Sequence, residues 1–287
     1  MEAGSPGKKK ILENPIIGSL VVPIAIILVG ALIIFGVTKM LSTDRSYKDL
    51  VRELHSKTFG NRWVAAYELS KLISTSQIPE EDVPWLVGNL SELYQAAQDA
   101  RTRDFIVVAM GALKSDLTIP VLSTAINDQD PNVRFHAVIA LSESEIGVRT
   151  NKLSLLQLLD KDDEAVKQAT IFTLAMHQIP EAEEKFVQLH NDSPVAIRFA
   201  AATGLIAYKN MAARETLEEI LTMSSRPAPD AAFSESKVVG LKLNILKAVV
   251  KYQWNVLNEL IERLLPAEQN LTVVSQMRET LNELKNR

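Results

Sequence analysis

Four histidines, His55, His136, His177 and His190, are the side chains whose intrinsic pKa best suits them to move protons or bind a metal ion in this chain. No HExxH run and no His-Glu dipeptide accompanies them. The lack of cysteine removes disulfides, thiol catalysis and thiolate metal sites together. Glycine-rich phosphate loops and the Gly-x-Ser-x-Gly elbow are missing too. What remains is an acidic sector, Glu143, Glu145, Asp160, Asp162, Asp163 and Glu164. Three readings of it stand: a solvated face, a surface for a basic partner, or a carboxylate pair for acid–base work. No constellation earns a catalytic, cofactor-binding or metal role, so the sequence points away from an enzyme and calls for no cofactor.

The elements that carry these side chains are repeated. Asp130-Pro131-Asn132-Val133-Arg134 opens one segment, Asp162-Asp163-Glu164-Ala165-Val166-Lys167 a second and Asp192-Ser193-Pro194-Val195-Ala196-Ile197-Arg198 a third. In each, an acidic turn precedes a basic residue, and Leu141, Leu174 or Leu205 follows seven positions later. The bases lie 33 and 31 residues apart, and Arg103 lies 31 before Arg134, with Met110 at the leucine place. Arg62 with Ala65 and Leu69 keeps the same phase, and Lys242, Ile245 and Val249 form a late copy. Between these segments Ile119–Ile126, Leu153–Leu159, Ala182–Leu189 and Ala213–Leu221 place apolar residues at three- and four-residue spacing. No longer window alternates with a strand period. Two helices joined by short turns therefore fill each unit, and a period of this length predicts an all-α solenoid in which neighbouring units cover each other's apolar faces. Ala137, Ala140 and Ala200–Ala202 let helices approach closely, while Leu141, Leu174, Leu205 and Phe172 supply apolar volume. His136, on a repeat helix two residues after Arg134, reads as an interhelical residue.

Carried by Asp130, Pro131, Val133, Arg134, Ala137 and Leu141 and their counterparts through Leu205, the pattern resembles the HEAT-repeat family, in the style of the short HEAT-like units of phycobilisome-lyase-type repeat proteins. It is strongest over residues 103–221. The resemblance implies a right-handed superhelix that holds protein partners, with the Asp and Arg positions forming a structural ladder. Lys167 departs from the usual arginine.

Ile16 to Val37 has no charged residue and follows Lys8, Lys9 and Lys10. Twenty-two residues give roughly 33 Å of helix, enough to cross a bilayer core. The run is longer than the apolar region of a cleaved signal peptide. The expected organisation is a basic tail at 1–15, a transmembrane helix at 16–38, a HEAT-like solenoid at 42–221, a loop at 222–236 and capping helices at 237–287. Ser42-Thr43-Asp44 is expected to cap a first helix over about Arg45–Ser56. The lysine triplet favours a single-pass anchor in a bacterial inner membrane with the solenoid on the periplasmic side, although Lys39, Arg45, Lys48 and Arg52 nearly balance it. Residues after the span carry a net charge of −5 (−4 overall, less +1 for residues 1–15), which argues against a nucleic-acid partner.

Trp85 and Tyr94 read either as core anchors or as aromatic contacts for a partner, and Glu143, Glu145, Asp163 and Glu164 are the acidic candidates for such a surface. The expected function is that of an accessory subunit, held to the bilayer through Ile16–Val37, which binds proteins and supports assembly of a membrane complex. A HEAT-like lyase or cofactor-maturation enzyme and a solitary envelope-associated factor are the alternatives.

Overall fold

The computed structural model describes residues 45–56, 58–226 and 232–285. The basic tail, the Ile16–Val37 span and Ser42–Asp44 lie outside them. Among the described residues no helix is long and apolar enough to cross a membrane. The chain divides into two compact units, Met1–Leu50 and Val51–Arg287. In the first, the Ser46 hydroxyl donates to the Asp49 carboxylate at 2.7 Å and accepts from the Asp49 N–H at 3.2 Å. This local cap starts helix α1 (Tyr47–Leu54), which falls inside the expected bounds at both ends.

The described part of the second unit is an all-α solenoid of packed helical hairpins. Its helices are α2 (Phe59–Ser74), α3 (Val83–Ala96), α4 (Ala100–Ala112), α5 (Ile119–Ala125), α6 (Pro131–Leu141), α7 (Glu145–Thr150) and α8 (Lys152–Lys161), then α9 (Glu164–Met176), α10 (Ala182–Asp192), α11 (Val195–Leu205), α12 (Arg214–Thr222), α13 (Glu235–Lys251), α14 (Asn258–Leu264) and α15 (Leu271–Lys285). Helices α2, α4, α6, α9, α11, α13 and α15 pack successively into one layer, and the intervening helices back them as a second. The longer interval between Arg62 and Arg103 is taken up by the long α2 and a 3₁₀ turn at Glu80–Asp82.

Local chemistry sets the helix starts. Asp99 accepts from Thr102 N–H, Asp130 from Asn132 and Val133 N–H, and Asp163 from Val166 N–H, each satisfying donors that the first turn cannot. Pro131 occupies the first position of α6, where a missing N–H costs nothing. The helix ends repeat as well, in a way that no glycine announces. Lys114, Gln178, Lys209 and Gln253 all adopt left-handed backbone, with φ of 48°, 47°, 54° and 54°. Each lies eleven positions after its basic residue. In three of the four, the residue after it returns its N–H to the carbonyl at the leucine position: Ile179 to Leu174, Asn210 to Leu205 and Trp254 to Val249. This Schellman closure turns the chain sharply into the second helix of the hairpin. At Gln253 it ends α13 and leads through a 3₁₀ turn at Asn255–Leu257 into α14.

The core follows the same count. Leu69, Met110, Leu141, Leu174, Leu205 and Val249, all at the leucine position, are fully buried. Three residues after each base sit Ala65, Ile106, Ala137, Thr170, Ala201 and Ile245, also buried. Small residues set the closest approach: a Cβ on Gly111 of α4 would stand 2.7 Å from the Ala140 Cβ and 3.3 Å from its Cα on α6. Phe172 is a correction to the expected core, since it is 40% exposed. It lies five positions after Lys167, and the helical rotation that buries the third and seventh positions turns the fifth outward.

Candidate partner-binding face

In the two best-formed units the basic residue ties two turns together. Arg134 donates from Nη1 to the carbonyls of Asp128 and Gln129, just ahead of its own helix, and grips Asp162 of the next inter-repeat turn through Nε at 2.6 Å and Nη2 at 2.5 Å. Arg103 does the same with Ala97 and Gln98 on one side and Asp128 on the other, at 2.7 and 2.8 Å. The planar guanidinium thereby satisfies carbonyls left over near the preceding helix end and a carboxylate one turn further along. Arg62 pairs with Asp99 at 3.2 Å and Arg198 with Glu219 at 3.3 Å. Lys242 pairs with Glu268 at 2.7 Å, and both side chains are buried. Lys167 heads α9 with an ammonium in place of the fork, and Asp192 closes α10.

The residues singled out in the sequence fall around this ladder. Asp130 caps α6 through two backbone amides, while Asp128 takes the neighbouring rung. Tyr94 is buried and donates to Asp128 at 2.7 Å. Burial alone would raise the Asp128 carboxyl, but donors from Arg103, the Asp130 N–H and Tyr94 outweigh it and hold the group at about 2. Burial and the adjoining carboxylate push the Tyr94 hydroxyl well above its ordinary range. Trp85 stays 40% exposed on α3.

Each member of the acidic sector has a partner within the chain. Glu143 pairs with Lys114, Glu145 with Arg149 and Asp160 with Lys185. Asp162 is a ladder rung, Asp163 caps α9, and Glu164 accepts from Gln168. His136 Nδ1 lies 2.6 Å from Asp104 Oδ1 and joins α6 to α4; the carboxylate raises its pKa against the opposing effect of burial. His177 reaches the Ser142 carbonyl at 2.7 Å and His190 the Thr216 hydroxyl at 2.8 Å. Among the described residues, no group of three or more His, Asp and Glu could hold a metal ion.

With the ladder holding the motif helices in register, the outward fifth position forms a column. Tyr67, Val108, Ile139 and Phe172 occupy it on α2, α4, α6 and α9, at 63%, 39%, 45% and 40% exposure. Met176, one turn beyond Phe172, is exposed as well. On α2, Trp63 stacks on Tyr67 with ring centroids 6.0 Å apart and meets Phe105 of α4 edge-on at 6.4 Å. Large apolar side chains recurring at one exposed register position across four helices give contact area without chemistry, which is what a binding face requires. Sequence inspection missed this column, although its signal was there: a large apolar residue stands five places after Arg62, Arg103, Arg134 and Lys167.

At α11 the column ends, because its fifth position is Thr203, which is buried. Gly204 beside it leaves room for Ile171 and Phe186, to within 2.9 and 3.1 Å of where a Cβ would stand. Helix α13 follows, and a groove of about 360 Å³ opens between Phe172 and Met176 of α9, Thr203 and Gly204 of α11, Lys247 of α13, and Tyr252, the residue after that helix.

Stacked hairpins, a carboxylate–guanidinium ladder and an exposed apolar column define a solenoid repeat protein. The HEAT repeats family matches residues 153–233. The fold is similar to that in the complex of CpcE and CpcF of phycocyanin lyase from Nostoc sp., at 16% identity over 83% of this chain and 94% of that one, with a TM-score of 0.55. It is similar as well to YibA of Escherichia coli, at 14% identity over 85% of this chain and 83% of that one, with a TM-score of 0.55. No curated protein matches the sequence.

Proposed function

We propose that this protein is a membrane-anchored repeat scaffold that binds a protein partner along the motif-helix layer and supports assembly or stability of a membrane complex. The observation that carries the reading is the exposed column Tyr67, Val108, Ile139 and Phe172. Anchoring rests on the uncharged Ile16–Val37 run, which would confine the scaffold to the membrane plane and raise the partner's effective concentration. A bacterial inner membrane and a periplasmic solenoid remain part of this proposal, argued from the lysine triplet ahead of the run.

Purification from native membranes in mild detergent, followed by identification of stoichiometric co-purifying subunits, tests the reading. Ile139→Asp with Phe172→Asp is expected to release the partner while leaving helical content unchanged. A protein that runs alone without crosslinking, with no subunit lost on solubilisation, would end the scaffold claim. Protease accessibility of the 222–236 segment in sealed vesicles and spheroplasts reports the side of the membrane.

A second reading, a lyase or cofactor-maturation component, is favoured by the likeness in fold to the phycocyanin lyase complex. It predicts a bound chromophore or cofactor. The absorbance spectrum of protein purified from its native membranes separates the two readings.

A further inference from the structure

The groove at the end of the column differs from the rest of the face in charge as well as shape. Its floor is apolar, from Phe172, Ala175 and Met176 of α9 and Ala248 of α13. Lys247 and Lys251, one turn apart on α13, stand at its edge with their side chains exposed, and no carboxylate lines it. Lys114, Arg149, Lys185 and Lys285 each sit against a carboxylate, those of Glu143, Glu145, Asp160 and Glu262. Lys247 and Lys251 instead border an apolar trough.

The trough is also held in shape. The Tyr252 hydroxyl donates to the Ala175 carbonyl at 3.1 Å, spanning from α13 to α9, and the Lys251 ammonium lies 5.1 Å from the Tyr252 ring centroid. One wall is therefore fixed to the floor by a hydrogen bond and carries a charge with it. The lining of the groove comes from three successive motif helices, α9, α11 and α13, and from Tyr252 just after the last.

We propose that this groove receives an acidic–apolar segment of a protein partner, with large apolar side chains seated on Phe172 and Met176 and carboxylates set against Lys247 and Lys251. The inference rests on the scaffold reading and specifies the chemistry of the segment bound. A trough lined by three successive motif helices suits a polypeptide, whose successive residues meet successive helices. The exposed Asn244 amide offers a donor and an acceptor to a main chain. Charge complementarity of this kind selects the partner and its orientation.

The test uses the full chain in its native membrane, with p-benzoylphenylalanine replacing Met176 in one variant and Ile139 in another. The crosslinked segments are then sequenced by mass spectrometry. The expected result from position 176 is a protein segment of net negative charge with large apolar residues. Its yield should fall roughly tenfold in Lys247→Glu/Lys251→Glu, the scale of two exposed attractions turned into repulsions, and hold in Lys247→Arg/Lys251→Arg. A basic or neutral segment, a lipid adduct, or a yield indifferent to charge reversal overturns the proposal. Crosslinks from position 139 without any from 176 sink the groove and spare the scaffold; silence at both positions removes the scaffold as well.

Discussion

Lys242 Nζ lies 2.7 Å from Glu268 Oε2, and the two side chains are 3% and 5% exposed. The pair is the ladder's last rung moved inside the protein, joining α13 to the turn before α15. Glu268 also accepts from the Gln269 and Asn270 N–H groups, so the carboxylate is satisfied on both sides.

Breaking that pair leaves an uncompensated buried charge. Lys242→Met or Glu268→Leu alone is expected to cost about 3 to 5 kcal/mol, while the double replacement costs far less than the sum of the two. Urea unfolding of the three variants measures the cycle, and additive losses would contradict the pairing.

Asp128 gives the solenoid an acid limit. Its folded pKa of about 2 lies below the ordinary aspartate value of about 3.9. The stability it contributes is thus fully present above about pH 4 and is lost as pH falls toward 2. Asp128→Asn should flatten the stability profile across that window, read by circular dichroism during acid titration.

Lys209 pays for its left-handed backbone, at φ 54°, without a side-chain bond to compensate. Lys209→Gly is expected to stabilise the protein by about 1 kcal/mol relative to Lys209→Ala, since glycine alone escapes the Cβ penalty there. Thermal melting of the two variants orders them; an alanine variant at least as stable as glycine would refute the Schellman reading.

His136 should titrate above its ordinary value of about 6.5 because the Asp104 carboxylate favours the imidazolium. With the folded pKa raised, the pair's contribution is complete below about pH 6.5 and disappears as pH rises through the folded midpoint. Two-dimensional NMR of the ring protons gives that midpoint, and Asp104→Asn is expected to lower it.

The sequence by itself determined the repeat. The phase of base, buried third position and seventh-position apolar residue follows from helical periodicity, and the Asp and Pro residues ahead of it act within a few positions of themselves. Such local rules are legible because each involves one turn of backbone. The same count would have located the left-handed residues at the eleventh position, had a glycine marked them; Lys114, Gln178, Lys209 and Gln253 hid a feature that is geometric rather than chemical.

Only the tertiary structure decided which carboxylate meets which base. Arg103 takes Asp128 and not Asp130, two residues away in the same turn, because the capping geometry commits Asp130 to its own helix. It also decided that Phe172 faces outward, and that Tyr252 reaches Ala175 across a sequence separation of 77 residues. These outcomes depend on how one hairpin rotates against the next. That rotation is set by the packing of small residues such as Gly111 and Gly204 against their neighbours, which no single helix encodes.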